Sequence, residues 1–101
     1  NMQPQGHMQT LVRMLDYGQN PQAACDAPRW RYNAGLEINV ESALNAATVQ
    51  GLAERRHRME VINDSYQDFG AGQFIWRAGD PKVHGYVAAS DARRDGQAVG
   101  F

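Results

Sequence analysis

Cys25, three histidines, the Asp91–Asp95 pair and a set of glycines and aromatics are the side chains in this sequence whose types could do chemistry. A cysteine attacks as a thiolate in an exposed, electropositive setting. Cys25, the only one, lies in AACDA, where a small thiol packs like a hydrophobe. His7, His57 and His84 have no HxxxH or comparable spacing that would bring two of them to one metal ion, so they read as surface or capping residues. Asp91 and Asp95 bracket Arg93 and Arg94 in SDARRDG, which suits an acid pair, a calcium loop or an ion-paired turn. An EF-hand loop needs further acidic positions, so the turn is the better reading.

Gly70, Gly72 and Gly79 would let bare backbone approach an anion. Neither GxxxxGK[ST] nor GxGxxG occurs, however, and FGAGQF enters a strand where a nucleotide site would open a helix. Trp30, Trp76 and Tyr86 could form a stacking platform for bases. Ten basic residues against eleven acidic ones give no basic excess, so these aromatics read as core or interface, and neither nucleic acid nor an anionic membrane surface is an expected partner. The candidates do not assemble a nucleophile, a base and an oxyanion hole. No metal and no cofactor is expected.

The elements that must position these residues follow from periodicity and punctuation. Met8, Leu11, Val12 and Leu15 recur at helical spacing, with Gln9, Arg13 and Asp16 opposite, and predict an amphipathic helix that buries the apolar stripe. Gly18 closes it, and Asn20 with Pro21 caps and opens a second helix, Pro21 to Cys25, which Pro28 keeps short. Asp16 to Tyr32 is therefore a helix corner that ends in Arg29 and Trp30 anchored against a sheet. Leu36, Ile38 and Val40 alternate with Glu37, Asn39 and Glu41, as in one strand with a buried apolar face. A third helix is expected from Asn45 to Arg56, burying Val49, Leu52 and Ala53, with Arg55, Arg56, His57 and Arg58 at the negative end of its dipole. Met59 to Ile62 suits a brief strand. Gln73 to Arg77 and Gly85 to Ser90 predict a hairpin around Gly79, Asp80 and Pro81.

The 101 residues, 43% of them hydrophobic, suit one compact α+β domain with helices on one sheet face. A single cysteine excludes an internal disulfide and a zinc knuckle. No apolar run approaches the roughly 20 residues that span a bilayer, and the amino end lacks a signal-peptide pattern. The chain begins at Asn1 and enters a helical pattern almost at once, so a preceding segment is expected in the natural polypeptide.

Taken in order, MQPQGHMQTLVRMLDYGQNPQAACDAPRWR, GLEINVE, FGAGQFIW and ASDARRDGQAVGF resemble the carboxyl-terminal half of the small subunit of gamma-glutamyltransferases. The LDYG, NPxxA and DAPRW run and the closing SDxRxDGxAxGF carry most of the resemblance. It implies a fragment of an αββα N-terminal nucleophile hydrolase sandwich: residues 1–101 as a single domain, helices on a mainly antiparallel sheet, and a carboxyl-terminal hairpin. The parent implied is a self-cleaving precursor whose new amino-terminal threonine takes a gamma-glutamyl group from glutathione or a related amide and passes it to water, an amino acid or a peptide. Two positions depart from the family pattern: Ala92 stands where proline is more usual, and Arg56 where a glycine usually precedes the histidine.

In such enzymes the nucleophile's own amine serves as base, so the hydroxyl must stand first in its chain. Asn1 has a carboxamide there, and Thr10 and Thr48 fall inside predicted helices. By resemblance, the threonine, the serine pair and the oxyanion glycines all precede the MQPQGH-like segment. No catalytic residue is therefore expected in this chain, and Asn1, Met2 and Gln3 are expected near the missing oxyanion loop. The resemblance thus implies a structural portion that is inactive alone, with the large subunit and the amino-terminal part of the small subunit as partners. The alternative is a free-standing binding or interaction module. Faces that a missing portion would cover should be left apolar, as exposed patches or as a self-association surface.

Overall fold

A computed structural model describes residues 2–64, 68–80 and 82–99. Its elements run α1 (Gln3–Leu15), α2 (Pro21–Asp26), β1 (Trp30–Ala34), β2 (Glu37–Glu41), α3 (Ala46–Glu54), β3 (Arg58–Ile62), β4 (Gln73–Arg77) and β5 (Tyr86–Ser90). The chain divides into two compact units: residues 1–6 with 28–70, and residues 7–27 with 71–101.

The first unit holds a three-stranded sheet in the order β1-β2-β3. Gly35, at φ 57°, makes the left-handed turn that folds WRYNA back on EINVE. The two strands pair antiparallel from Trp30↔Val40 to Ala34↔Glu37, with a register irregularity between Tyr32 and Ala34. The single expected strand is thus the second arm of a hairpin. Ile38 and Val40 are buried as the alternation requires, but Leu36 lies before β2 and is exposed. Glu41, expected on the polar face, is buried. Its Oε1 accepts the Arg29 N–H at 2.7 Å while its own N–H donates to the Arg29 carbonyl at 3.0 Å, so the carboxylate turns inward to satisfy a backbone donor.

β2 and β3 run parallel, in register from Glu37↔Arg58 to Glu41↔Ile62. Parallel neighbours require a crossover, and α3 supplies it. Asn45 caps α3 by accepting the Ala47 N–H at 2.8 Å. Val49 and Leu52 are half-buried and Ala53 is exposed, short of the burial expected, because a nine-residue helix outside a small sheet has only one stripe shielded.

The helix ends in a Schellman motif: the His57 N–H donates to the Leu52 carbonyl at 3.1 Å and the Arg56 N–H to the Ala53 carbonyl at 2.9 Å. The Arg55 Nη1 also donates to the Gly51 carbonyl at 3.0 Å, so this basic cluster does serve the helix end. Arg56 takes the left-handed position at φ 69°, which a residue with a side chain occupies only under strain. Arg56→Gly should relieve that strain and stabilise the chain by about 1 kcal/mol, read as a higher urea midpoint at unchanged slope.

In the second unit, α1 ends before Gly18, which sits at φ 68°, and α2 opens at Asn20, whose side chain accepts the Ala23 N–H at 2.8 Å. Ala27 is extended (φ −60°, ψ 144°), as the following proline demands. β4 and β5 pair antiparallel from Gln73↔Ser90 to Arg77↔Tyr86, as the sequence predicts. Asp80 organises the connection by accepting the Lys82 N–H at 3.0 Å; Pro81, expected in that turn, lies outside the described residues.

The orientation of α1 departs from expectation. Gln9, Thr10 and Met14 are buried, while Met8, Leu11 and Leu15 are exposed by 46%, 48% and 65%. Periodicity reports which face of a helix is apolar. It does not report which face its own chain covers.

Candidate functional site

The densest cluster of chemistry-bearing groups lies in the second unit, where α2, the start of β4 and the segment after β5 meet. Asp91 is fully buried, yet its oxygens are occupied. Oδ2 accepts the Gly72 N–H at 2.7 Å, Oδ1 accepts the Arg93 N–H at 2.8 Å, and the Arg93 Nη1 donates to the two oxygens at 3.0 and 3.2 Å. The Arg93 guanidinium also donates from Nη1 to the Cys25 carbonyl at 2.8 Å and from Nη2 to the Ala27 carbonyl at 2.9 Å. These are the carbonyls that a helix end leaves without intrahelical partners. One arginine therefore closes the carboxyl end of α2 and neutralises the buried acid at the same time.

Ligand atoms of Cys25, Asp26 and Asp91 fall within 4.8 Å of one another, a spacing that a metal ion could use. The cation already against Asp91 is the guanidinium, and the Asp26 carboxylate accepts from Gln22 at 2.9 Å and from the Ala92 N–H at 3.4 Å. The donor set therefore fits an ion-paired turn better than a metal centre. Cys25 is fully buried, and its thiol lies 3.5 Å from the Gly72 carbonyl. A sealed thiol cannot reach a substrate.

Gly72 matters here because of space rather than backbone angle. A Cβ on it would lie 2.6 Å from Phe74 Cε2 and 2.9 Å from the Cys25 sulfur. Gly72→Ala should therefore destabilise the chain by about 1–3 kcal/mol, measured by chemical denaturation.

A second node lies in the first unit. Arg29, buried, donates from Nη1 to the Phe69 carbonyl at 2.8 Å, while its backbone N–H and carbonyl are held by Glu41. The DAPRW arginine is thus anchored on the sheet. Arg31 adds an ion pair to Asp68 at 3.4 Å.

Each unit also has a sheet edge closed by a glutamine. The Gln5 carboxamide accepts the Tyr32 N–H at 2.6 Å and donates to the Tyr32 carbonyl at 3.3 Å. The Gln22 carboxamide does the same for Ser90 on β5, donating to its carbonyl at 2.9 Å and accepting its N–H at 3.3 Å. A side-chain amide has the donor and acceptor of a peptide group, so each acts as a one-residue strand. Neither was foreseen from the sequence, which holds no signal for a helical glutamine pairing with a strand. Gln22→Ala should cost about 1 kcal/mol and speed exchange of the Ser90 amide.

The remaining candidates do not gather. His7 and His84 are exposed, and His57 stands half-buried after α3. Thr10 is buried in α1 and Thr48 exposed on α3. Asp95 is exposed beside the turn that Asp91 organises. Trp30 lies in one unit, and Trp76 and Tyr86 in the other. Asn1 lies outside the described residues; Met2 places its Cγ 3.8 Å from a Cβ built on Gly70, and Gln3 is exposed at the start of α1.

Comparisons with known proteins agree with this geometry. A family model described as Gamma-glutamyltranspeptidase matches residues 1–101. The glutathione hydrolase-like YwrD proenzyme of Bacillus subtilis (strain 168) is 35% identical over 104 residues, which cover 98% of this chain and 19% of that protein. The solved structure of cephalosporin acylase from Bacillus halodurans is 42% identical with a TM-score of 0.89, covering 99% of this chain and 18% of that one. The gamma-glutamyltranspeptidase from Pseudomonas nitroreducens complexed with L-DON shares the fold at a TM-score of 0.72 and 21% identity, over 95% of this chain and 47% of that one. The chain thus spans about a fifth of the curated relative's length. Its α+β architecture is that of part of an N-terminal nucleophile hydrolase. With the motifs in order, the matching fold and a family match along the whole length, the chain belongs to the gamma-glutamyltranspeptidase family.

Proposed function

We propose that residues 1–101 are the carboxyl-terminal structural portion, a single domain, of a gamma-glutamyltransferase-like enzyme that is inactive without the rest of its polypeptide. The observation that carries this reading is one of coverage. The chain matches, over 99% of its own length, only 18% of the length of a similar protein.

The internal chemistry supports the same reading. The acid, arginine and thiol of the second unit are used up in holding α2 to the hairpin, and the arginine of the first unit in holding Phe69 and β2. These groups build a scaffold. The reacting hydroxyl, its base and the oxyanion donors come from the remaining polypeptide, and Met2 and Gln3 stand beside that oxyanion loop. The parent takes a gamma-glutamyl group from a glutathione-type amide onto an amino-terminal threonine and gives it to water or an amine. Two of the relatives above, a glutathione hydrolase-like proenzyme and a cephalosporin acylase, favour hydrolysis over transfer.

The test is release of p-nitroaniline from gamma-glutamyl p-nitroanilide. The purified chain alone should give the background rate, and the chain expressed together with the rest of its polypeptide should give turnover. Turnover by the chain alone, abolished in Cys25→Ala, would overturn the reading.

A further inference from the structure

We propose that Asp95 is a modification site: its side chain condenses with the Gly96 main-chain nitrogen to a succinimide, which water reopens to isoaspartate, the substrate of methyl-transferring repair enzymes. Asp95 is the only aspartate in the sequence followed by glycine, and no asparagine is followed by one. In the first step the Gly96 nitrogen gives up its proton and bonds to Asp95 Cγ, and the carboxyl hydroxyl leaves with that proton as water. In the second, water adds to one of the two ring carbonyls. Addition at the main-chain carbonyl breaks its bond to the Gly96 nitrogen. The chain then runs through the former side chain, one methylene longer, and the main-chain carbonyl becomes a free carboxylate.

The structure leaves this pair free to react. Asp95 and Gly96 are exposed and lie outside every helix and strand. Among the described residues, neither the Asp95 carboxylate nor the Gly96 N–H has a hydrogen-bond partner. Ring closure needs the peptide between them to rotate, and glycine brings no side chain against the closing ring. The other aspartates are held. After Asp16 the Tyr17 N–H donates to the Val12 carbonyl at 3.3 Å, and after Asp26 the Ala27 N–H donates to the Ala23 carbonyl at 3.0 Å. Asp68 pairs with Arg31 at 3.4 Å, and the buried Asp91 with Arg93 at 3.0 Å. Asp80 precedes a proline, which has no N–H to lose.

The extra methylene has a structural consequence, because Gly96 is packed tightly on one side. A Cβ on it would collide with the Ser90 Oγ and lie 3.2 Å from the Gln73 Nε2. A longer main chain therefore displaces Gly96 and the segment after it. Gln97, Ala98 and Val99 form one wall of a cavity of about 310 Å³ against Ile75 and Ala88 of the hairpin, and isomerisation moves that wall.

Peptide mapping by mass spectrometry tests this, on the protein at its full natural length after storage at neutral pH and physiological temperature. The peptide carrying Asp95 should yield a species one water lighter and then an isobaric form that elutes separately. That form should accept a labelled methyl group from S-adenosylmethionine through an isoaspartyl methyltransferase. Asp95→Glu, whose ring would have six members, should accumulate neither product. The rate in the folded protein should approach that in the same protein unfolded in urea, because the fold holds neither reacting group. Stored wild type should melt at a lower temperature than fresh protein, while stored Asp95→Glu keeps its melting temperature. Isomerisation confined to the unfolded protein, or equal methyl labelling of wild type and Asp95→Glu, overturns the site. Isoaspartate at Asp95 with an unchanged melting temperature overturns the structural consequence.

Discussion

Asp91→Ala is expected to destabilise the chain by about 3–5 kcal/mol, enough to unfold most of the population of a domain this small. The Asp91 and Arg93 side chains are 0% and 6% exposed, so the guanidinium left behind would be a buried, unpaired charge. The Gly72 N–H would lose its acceptor at the same time. Two controls separate these terms. Asp91→Asn keeps an oxygen for Gly72 and removes the charge, so it should fall between alanine and wild type. The double variant Asp91→Asn with Arg93→Met removes both charges and should lose less than the two single variants summed. Urea unfolding followed by far-ultraviolet circular dichroism reads all four, and a loss under about 1 kcal/mol in Asp91→Ala would contradict the account.

Phe69→Ala is the second large effect, again about 3–5 kcal/mol. Phe69 is fully buried and is the largest such side chain among the described residues. Truncation removes most of a ring and leaves a cavity that only partly collapses. Its carbonyl, which accepts from Arg29, is backbone and survives the change. The loss is therefore one of packing, and Phe69→Leu, which refills much of the volume, should recover a large part of it. If leucine proved as damaging as alanine, the ring would be serving some role other than filling space.

Local punctuation made much of this fold legible. Gly18, the Asn20-Pro21 pair and Pro28 fix the helix corner through constraints that act within four residues, and the structure follows them. The β4–β5 hairpin is legible for the same reason, as two alternating segments around a turn. The first hairpin is harder to see: Gly35 is a turn signal, but WRYNA lacks a clean apolar alternation, so β1 is missed. The parallel pairing of β2 with β3 joins residues 21 apart across a helix, which no local pattern encodes.

The nodes divide along the same line. SDARRDG reads correctly as an ion-paired turn, yet what Arg93 holds lies 66 and 68 residues away. Glu41 is misplaced because alternation assigns polar residues to solvent, whereas a buried backbone N–H can draw a carboxylate in. The inverted face of α1 has a related cause: an apolar stripe is legible, but its partner need not belong to the same stretch of chain.

The Arg93 clamp also sets an order of events during synthesis. The first unit, residues 1–6 with 28–70, is complete once residue 70 has emerged, so it can fold as soon as that stretch clears the ribosome. The second unit is completed later: α2 emerges early and waits, its terminal carbonyls met only by water, until Arg93 arrives more than sixty residues later. Nascent chains cut short of Arg93 should therefore leave the region around Cys25 open to alkylation, and chains that include it should close within one cooperative step.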